Sequence, residues 1–206
     1  MKHIFIPAIA AVCLGNVTLA GTVETQIAPV VIMAAAPSVT DWSGFYAGGM
    51  LGATTGTYLE TSGSTPDSFD MGGYTFGGFG GYNFQSGAMV YGVELAYSLG
   101  NIPIIRDLGY AITGFLEANV RVGYAFDDIL VYATVGATKA DWKVYSTTPT
   151  TNGYNVGAGV DYMLTDHFIV GAEYLYRDFD IAAGVINLWT GLNSLHSIQI
   201  KAAYKF

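Results

Sequence analysis

Eight side chains combine charge with a spacing that brings them together: Glu94, Glu117, Asp161 and Glu173, and Arg121, Arg177, Lys201 and Lys205. Each stands in a stretch where apolar and polar residues alternate, so each falls on the polar face of a strand. Leu116, Ala118, Val120, Val122, Tyr124 and Phe126 share one face, while Glu117, Asn119 and Arg121 share the other. Likewise Ile198, Ile200, Ala202, Tyr204 and Phe206 oppose Ser197, Gln199, Lys201 and Lys205. An isolated buried charge costs several kcal/mol. Four acids and four bases on facing polar surfaces therefore predict a network of ion pairs joining strands, which is structural chemistry.

Catalytic chemistry has thin support. His196 and Ser197 are neighbours in a strand, so their side chains point to opposite faces. Asp166 and His167 sit together in a turn, which turn polarity explains equally well. The nucleophile-elbow, HExxH and phosphate-cradling patterns are absent. The Gly72-Gly73, Gly77-Gly78 and Gly80-Gly81 pairs lie inside a strand with no helix behind them. The single cysteine, Cys13, lies in an N-terminal apolar run, and CxxC-type metal binding is excluded. No catalytic, cofactor-binding or metal-ligating residue is assigned, and no cofactor is expected.

The elements that position the charges follow from the same alternation. Eight strands are expected over about 43–58, 72–86, 88–99, 110–126, 129–143, 152–164, 168–181 and 194–206. The connections at 85–87, 127–128 and 165–167 are short and carry Gly and Asp turn chemistry. Those at 59–71, 100–109, 144–151 and 182–193 are longer. The chain is 51% hydrophobic but only 12% charged, half the charge of an ordinary soluble domain. Beyond the N-terminal run, no apolar stretch is long enough for a spanning helix. Apolar surface delivered by alternation suits a closed sheet in lipid, where every backbone N–H and C=O must be paired. The prediction is an all-β, eight-stranded antiparallel up-and-down transmembrane β-barrel with its apolar face outward. The alternative, a soluble β-sandwich, gives no reason for Tyr82, Phe84, Tyr91, Tyr124, Phe126, Tyr162, Phe168, Tyr204 and Phe206 to gather at the short-turn end.

Residues 1–20, with Lys2, an apolar run and Thr18-Leu19-Ala20, have the form of an export signal cleaved after Ala20. Residues 21–41 are expected to form a periplasmic N-terminal arm, lying over the barrel mouth or on the membrane surface, and 42–206 the barrel domain. The formal charge of −8 and the lack of a basic stripe argue against nucleic acid as a partner. Most acids, such as Asp127, Asp128, Asp166 and Asp178, read as solvated connections. Inward glycines such as Gly92, Gly159 and Gly171 serve either close packing of long neighbours or a chain of waters.

Several segments resemble a known family. Asp41-Trp42-Ser43-Gly44-Phe45-Tyr46-Ala47-Gly48-Gly49 resembles the first strand of the small alphaproteobacterial outer-membrane barrels, porin-family proteins related to the OmpA transmembrane domain. Gly80-Gly81-Tyr82-Asn83-Phe84-Gln85, Val120 to Phe126, Gly157 to Tyr162 and Ala172 to Tyr176 resemble later strands. The resemblance implies a Gram-negative outer-membrane surface barrel. Its partners would be outer-membrane lipid, lipopolysaccharide and the barrel-insertion machinery, with Tyr204 and Phe206 in the terminal strand as the assembly signal. It brings no catalytic residues. The expected role is structural and surface-presenting, with a lumen filled by side chains. A narrow passive pore is the second reading, and a lipid-modifying enzyme using Asp166-His167 the third.

Overall fold

The computed structural model describes residues 40–62, 65–104, 107–181 and 191–206. The expected signal peptide (1–20) and nearly all of the expected arm (21–39) lie outside the described residues. Within them every element is a strand: β1 (Gly44–Ser62), β2 (Thr65–Ser86), β3 (Met89–Ile104), β4 (Asp107–Phe126), β5 (Ile129–Val144), β6 (Thr150–Met163), β7 (Phe168–Ile181) and β8 (Gly191–Lys205). Each pairs antiparallel with its sequence neighbour, and β1 pairs with β8 to close the barrel. Closure leaves no sheet edge inside the wall, which is the condition for spanning hydrocarbon with strands.

Side chains alternate as the sequence pattern requires. Val131, Val135, Val156, Val160, Ile198 and Ile200 are exposed on the outside, while Thr134, Asn155, Asp161, Ser197, Gln199 and Lys201 are buried inside. Polar residues in and apolar residues out inverts the arrangement of a soluble fold. The nine aromatics expected at the short-turn end are all exposed there. Several of them touch, as in Phe168–Tyr204 and Tyr204–Phe206, with ring centroids 5.3 and 5.2 Å apart.

The short turns have specific local causes. Gly87 adopts φ +61° at the first central position of the Gly87-Ala88 turn, and Asp127 adopts φ +51° in the next one. Both residue types tolerate this left-handed region. In the third turn the Thr165 hydroxyl accepts from the backbone N–H groups of His167 and Phe168.

The long connections differ from expectation. Most of 59–71 and 100–109 is strand: β1 and β2 run for 19 and 22 residues, about twice the length that crosses a bilayer. The barrel wall therefore continues beyond the membrane on the long-loop side. Residues 145–149 remain a connection, and 182–190 lie outside the described residues. A bulge at Thr113 shifts the register of β4 against β5, and an extra residue in β3 between Leu99 and Ile102 shifts β3 against β4. The Thr113 bulge turns Ile112 and Phe115 onto the same inward face, against simple parity, and both are fully buried.

Candidate functional site

The interior is layered along the barrel axis. At the short-turn mouth Trp42, Val90, Ala125, Leu130, Met163 and Ile169 form an apolar layer. At the other end Met71, Ile102, Ile112, Phe115, Trp142 and Phe179 form a second. Ile102 and Ile104, which fall in the connection expected over 100–109, belong to this second layer. Between the two lies the charged zone.

Its lower tier holds three carboxylates and two cations. Arg121 on β4 donates to Asp161 on β6 at 2.6 Å and lies 3.7 Å from Glu94 on β3. Lys201 on β8 donates to Glu94 at 2.7 Å and to Glu173 on β7 at 2.9 Å. Two phenols complete the shells: Tyr46 on β1 donates to Glu94 at 3.0 Å, and Tyr132 on β5 donates to Glu173 at 2.9 Å. The Arg121 guanidinium also lies 3.9 Å from the centre of the Tyr132 ring, and the Lys201 ammonium 4.3 Å from that of Phe79 on β2. Side chains from all eight strands thus meet in one cluster.

The upper tier is built on one pair. Arg177 on β7 grips Glu117 on β4 through two nitrogens, at 2.8 and 3.0 Å, the bidentate geometry that makes such pairs strong. Asn155 donates to Glu117 at 3.2 Å and to Asn119 at 2.9 Å. Arg177 also donates to Ser197 at 2.6 Å, and Ser197 shares a hydrogen bond with Thr54. The Phe115 ring lies against the guanidinium, with its centre at 4.6 Å.

Seven of the eight expected residues therefore meet in the lumen: Glu94, Glu117, Arg121, Asp161, Glu173, Arg177 and Lys201. Lys205 does not join them, which corrects the expected balance of four and four. It stands four residues nearer the rim than Lys201 and donates instead to the backbone carbonyl of Asp41. The described lumen then holds four acids against three bases. Tyr46 and Tyr132, which the sequence reading did not single out, supply hydrogen-bond donors in place of a fourth cation.

Glycine makes room for these side chains. In register, Gly92 faces Arg121, Gly171 faces Asp161 and Lys201, Gly81 faces Tyr46 and Glu94, and Gly159 faces Tyr132 and Glu173. A methyl group at Gly92 would stand 2.8 Å from the Arg121 Cγ, and one at Gly159 would collide with the Tyr132 ring. The inward glycines thus serve close packing. Between Tyr46, Asn83, Arg121, Asp161 and Lys201 a cavity of about 10 Å³ remains, about the space of one water.

A strap of residues 40–43 crosses the lower mouth. Thr40 donates to the Asp128 carboxylate at 2.6 Å, and the Trp42 indole donates to the Asp127 carbonyl at 3.2 Å. The Trp42 N–H donates to the Gln85 side chain at 2.6 Å. The Asp41 carboxyl is held below the ordinary carboxylate range, chiefly by the Ser43 backbone N–H, with a lesser pull from Lys205. Thr40 and Asp41 therefore lie over the barrel mouth, and residues 21–39 of the expected arm fall outside the described residues.

The candidate catalytic groups stay apart. His196 faces outward and shares a 2.6 Å hydrogen bond with Tyr174, while Ser197 faces the lumen. His167 is exposed in its turn and stacks on Tyr204 at 5.5 Å. Tyr204 and Phe206 face outward at the short-turn rim, and the Phe206 amide donates to Phe45 at the β1–β8 seam.

The sequence profile described as "Outer membrane protein beta-barrel domain" matches residues 27–206. The chain belongs to this outer-membrane β-barrel family. It is 36% identical over 155 residues to a 22 kDa outer membrane protein of Rhizobium leguminosarum bv. viciae, a match covering 67% of this chain and 64% of that protein. It is 28% identical over 178 residues to a 25 kDa outer-membrane immunogenic protein of Brucella abortus, covering 80% of this chain and 79% of that one. Among solved structures, Ail of Yersinia pestis aligns at 15% identity and TM-score 0.45, over 80% of this chain and 99% of that one. Neisserial surface protein A aligns at 17% and 0.47, over 80% and 98%. The family places the chain in the bacterial outer membrane, so the short turns face the periplasm and the extended walls face the medium.

Proposed function

We propose that the protein is a closed, non-conducting barrel that reinforces the outer membrane and presents its extended walls and loops at the cell surface, without catalytic activity. The layered lumen carries this reading. Two apolar layers enclose the ion-pair zone, and the strap from Thr40 to Ser43 covers the periplasmic mouth. An eight-stranded barrel is about wide enough for side chains to fill, and here long side chains standing against glycines fill it. Buried charges bound this tightly serve to cross-link strands rather than to pass ions.

The reading includes contact with outer-membrane lipid and lipopolysaccharide along the outward face. It also includes delivery through the barrel-insertion machinery, with Tyr204 and Phe206 as the recognised end. Planar-bilayer recording of the refolded protein tests it. The membrane is expected to stay silent, with no steady conductance above the lipid baseline. Steady open steps that change when Arg121 is replaced would establish the narrow pore instead.

A further inference from the structure

Among the described residues, β2 alone of the eight strands enters the lower charged tier without a hydrogen bond. The other seven reach it through Tyr46, Glu94, Arg121, Tyr132, Asp161, Glu173 and Lys201. β2 offers the Phe79 ring to Lys201 and a second inward side chain, Asn83, which is only 2% exposed. In register, Gly92 on β3 stands between Asn83 on β2 and Arg121 on β4. With no Cβ at that position, the two side chains close over the glycine. A methyl group there would collide with the Asn83 Oδ1 and with the Arg121 stem.

Two polar atoms in this corner have no protein partner among the described residues: Asn83 Oδ1, an acceptor, and Arg121 Nε, a donor. Both residues line the cavity of about 10 Å³, which Tyr46, Asp161 and Lys201 also line. Phe79, Ile169 and Ala203 supply its apolar wall. Buried polar atoms are costly unless they are hydrogen-bonded. The charges select what can bond them. Arg121 and Lys201 repel a cation, while Asp161 and the Asn83 oxygen repel an anion. The occupant is therefore neutral, accepts from Arg121, donates to Asn83 and is no larger than one water-sized sphere.

We propose that this cavity is a binding site for one structural water, held between Asn83 Oδ1 and Arg121 Nε. The water brings β2 into the hydrogen-bond network of the lower tier. It also holds the Arg121 guanidinium at the nitrogen that Asp161 and Glu94 leave free. Asp161 and the Tyr46 oxygen can accept from it, and the third N–H of Lys201 can donate to it. That meets the two to four partners a buried water requires. The site is a property of one corner of the barrel and stands or falls separately from the closed bore.

Crystal structures of the wild-type barrel and of N83L, at a resolution that places waters, test the proposal. Wild type is expected to show one density peak within about 3.2 Å of both Asn83 Oδ1 and Arg121 Nε. N83L removes the acceptor and puts an apolar side chain of similar size in its place, so it should lose the peak. N152L, changed on the exposed outer face, should keep it. The wild-type map decides the matter even where N83L does not assemble: no peak, or direct contact of Asn83 with the Arg121 Nε, would overturn the proposal. So would a peak that persists in N83L. An anomalous signal at the site after a rubidium soak would also overturn it, because the cavity would then hold a cation. The closed bore fails by a different reading, open steps in the bilayer recording.

Discussion

At the scale of the residue, the account turns on which charges are buried and paired. Replacing Arg177 with Ala leaves Glu117 buried without its partner and is expected to cost about 3–5 kcal/mol of stability, read as a lower urea midpoint for the folded barrel in detergent. Replacing both partners, as E117Q/R177M, should recover much of that loss, because removing a buried pair is far cheaper than orphaning one of its charges. Lys205, exposed at the rim, should behave differently: K205Q is expected to shift stability by no more than about 0.5 kcal/mol. The sequence placed seven of the charges correctly because alternation fixes the face of each residue. It misplaced Lys205 because parity reports the face and not the height within the barrel. Tyr46 and Tyr132 were missed because an inward tyrosine and an outward one look alike until the register shows which of them stands against a glycine.

At the scale of the element, pairing partners matter more than propensity. Gly159 lies between Tyr132 and Glu173 in register, and a larger residue there displaces the donor of one carboxylate. G159V is expected to destabilise the barrel by about 1–3 kcal/mol and lower its thermal midpoint; an unchanged midpoint would remove the packing role assigned to that glycine. Deleting Phe206 takes away both an outward aromatic and the amide that bonds to Phe45 at the seam. Assembly into vesicles, scored by the gel shift, is expected to fall. Eight strands and three tight turns could be read from the sequence because lipid imposes strict alternation and turns impose Gly or Asp. The extensions of β1 to β4 could not. Pro66, Gly100, Asn101 and Pro103 there read as loop chemistry, although Met71, Ile102 and Ile104 in these extensions pack into the second apolar layer. The bulge at Thr113 was invisible for a related reason, since one extra residue changes parity without changing composition.

At the scale of the whole molecule, the barrel is a wall with its apolar side turned outward and an apolar layer toward each end of its described lumen. Its periplasmic strap adds a pH response. Because the Asp41 carboxyl is held below the ordinary carboxylate range, its contribution to the strap is present above that range and is lost as the pH falls below it, toward the lowered value. Trp42 fluorescence should therefore be constant across neutral and mildly acidic pH and change only in strong acid, and D41N should abolish that change. The central claim is that alternate residues of one strand face lipid and a lumen closed to water, and β5 tests it directly. With Cys13 replaced by Ser, single cysteines are placed at Ala133, Val135 and Ala137, which face outward, and at Thr134 and Thr138, which are buried inside. Each variant in vesicles is probed with a lipid-borne quencher and a water-soluble thiol reagent. The account predicts quenching at 133, 135 and 137 only, and no aqueous labelling at 134 or 138; ready aqueous labelling of 134 and 138 in the folded barrel would contradict it.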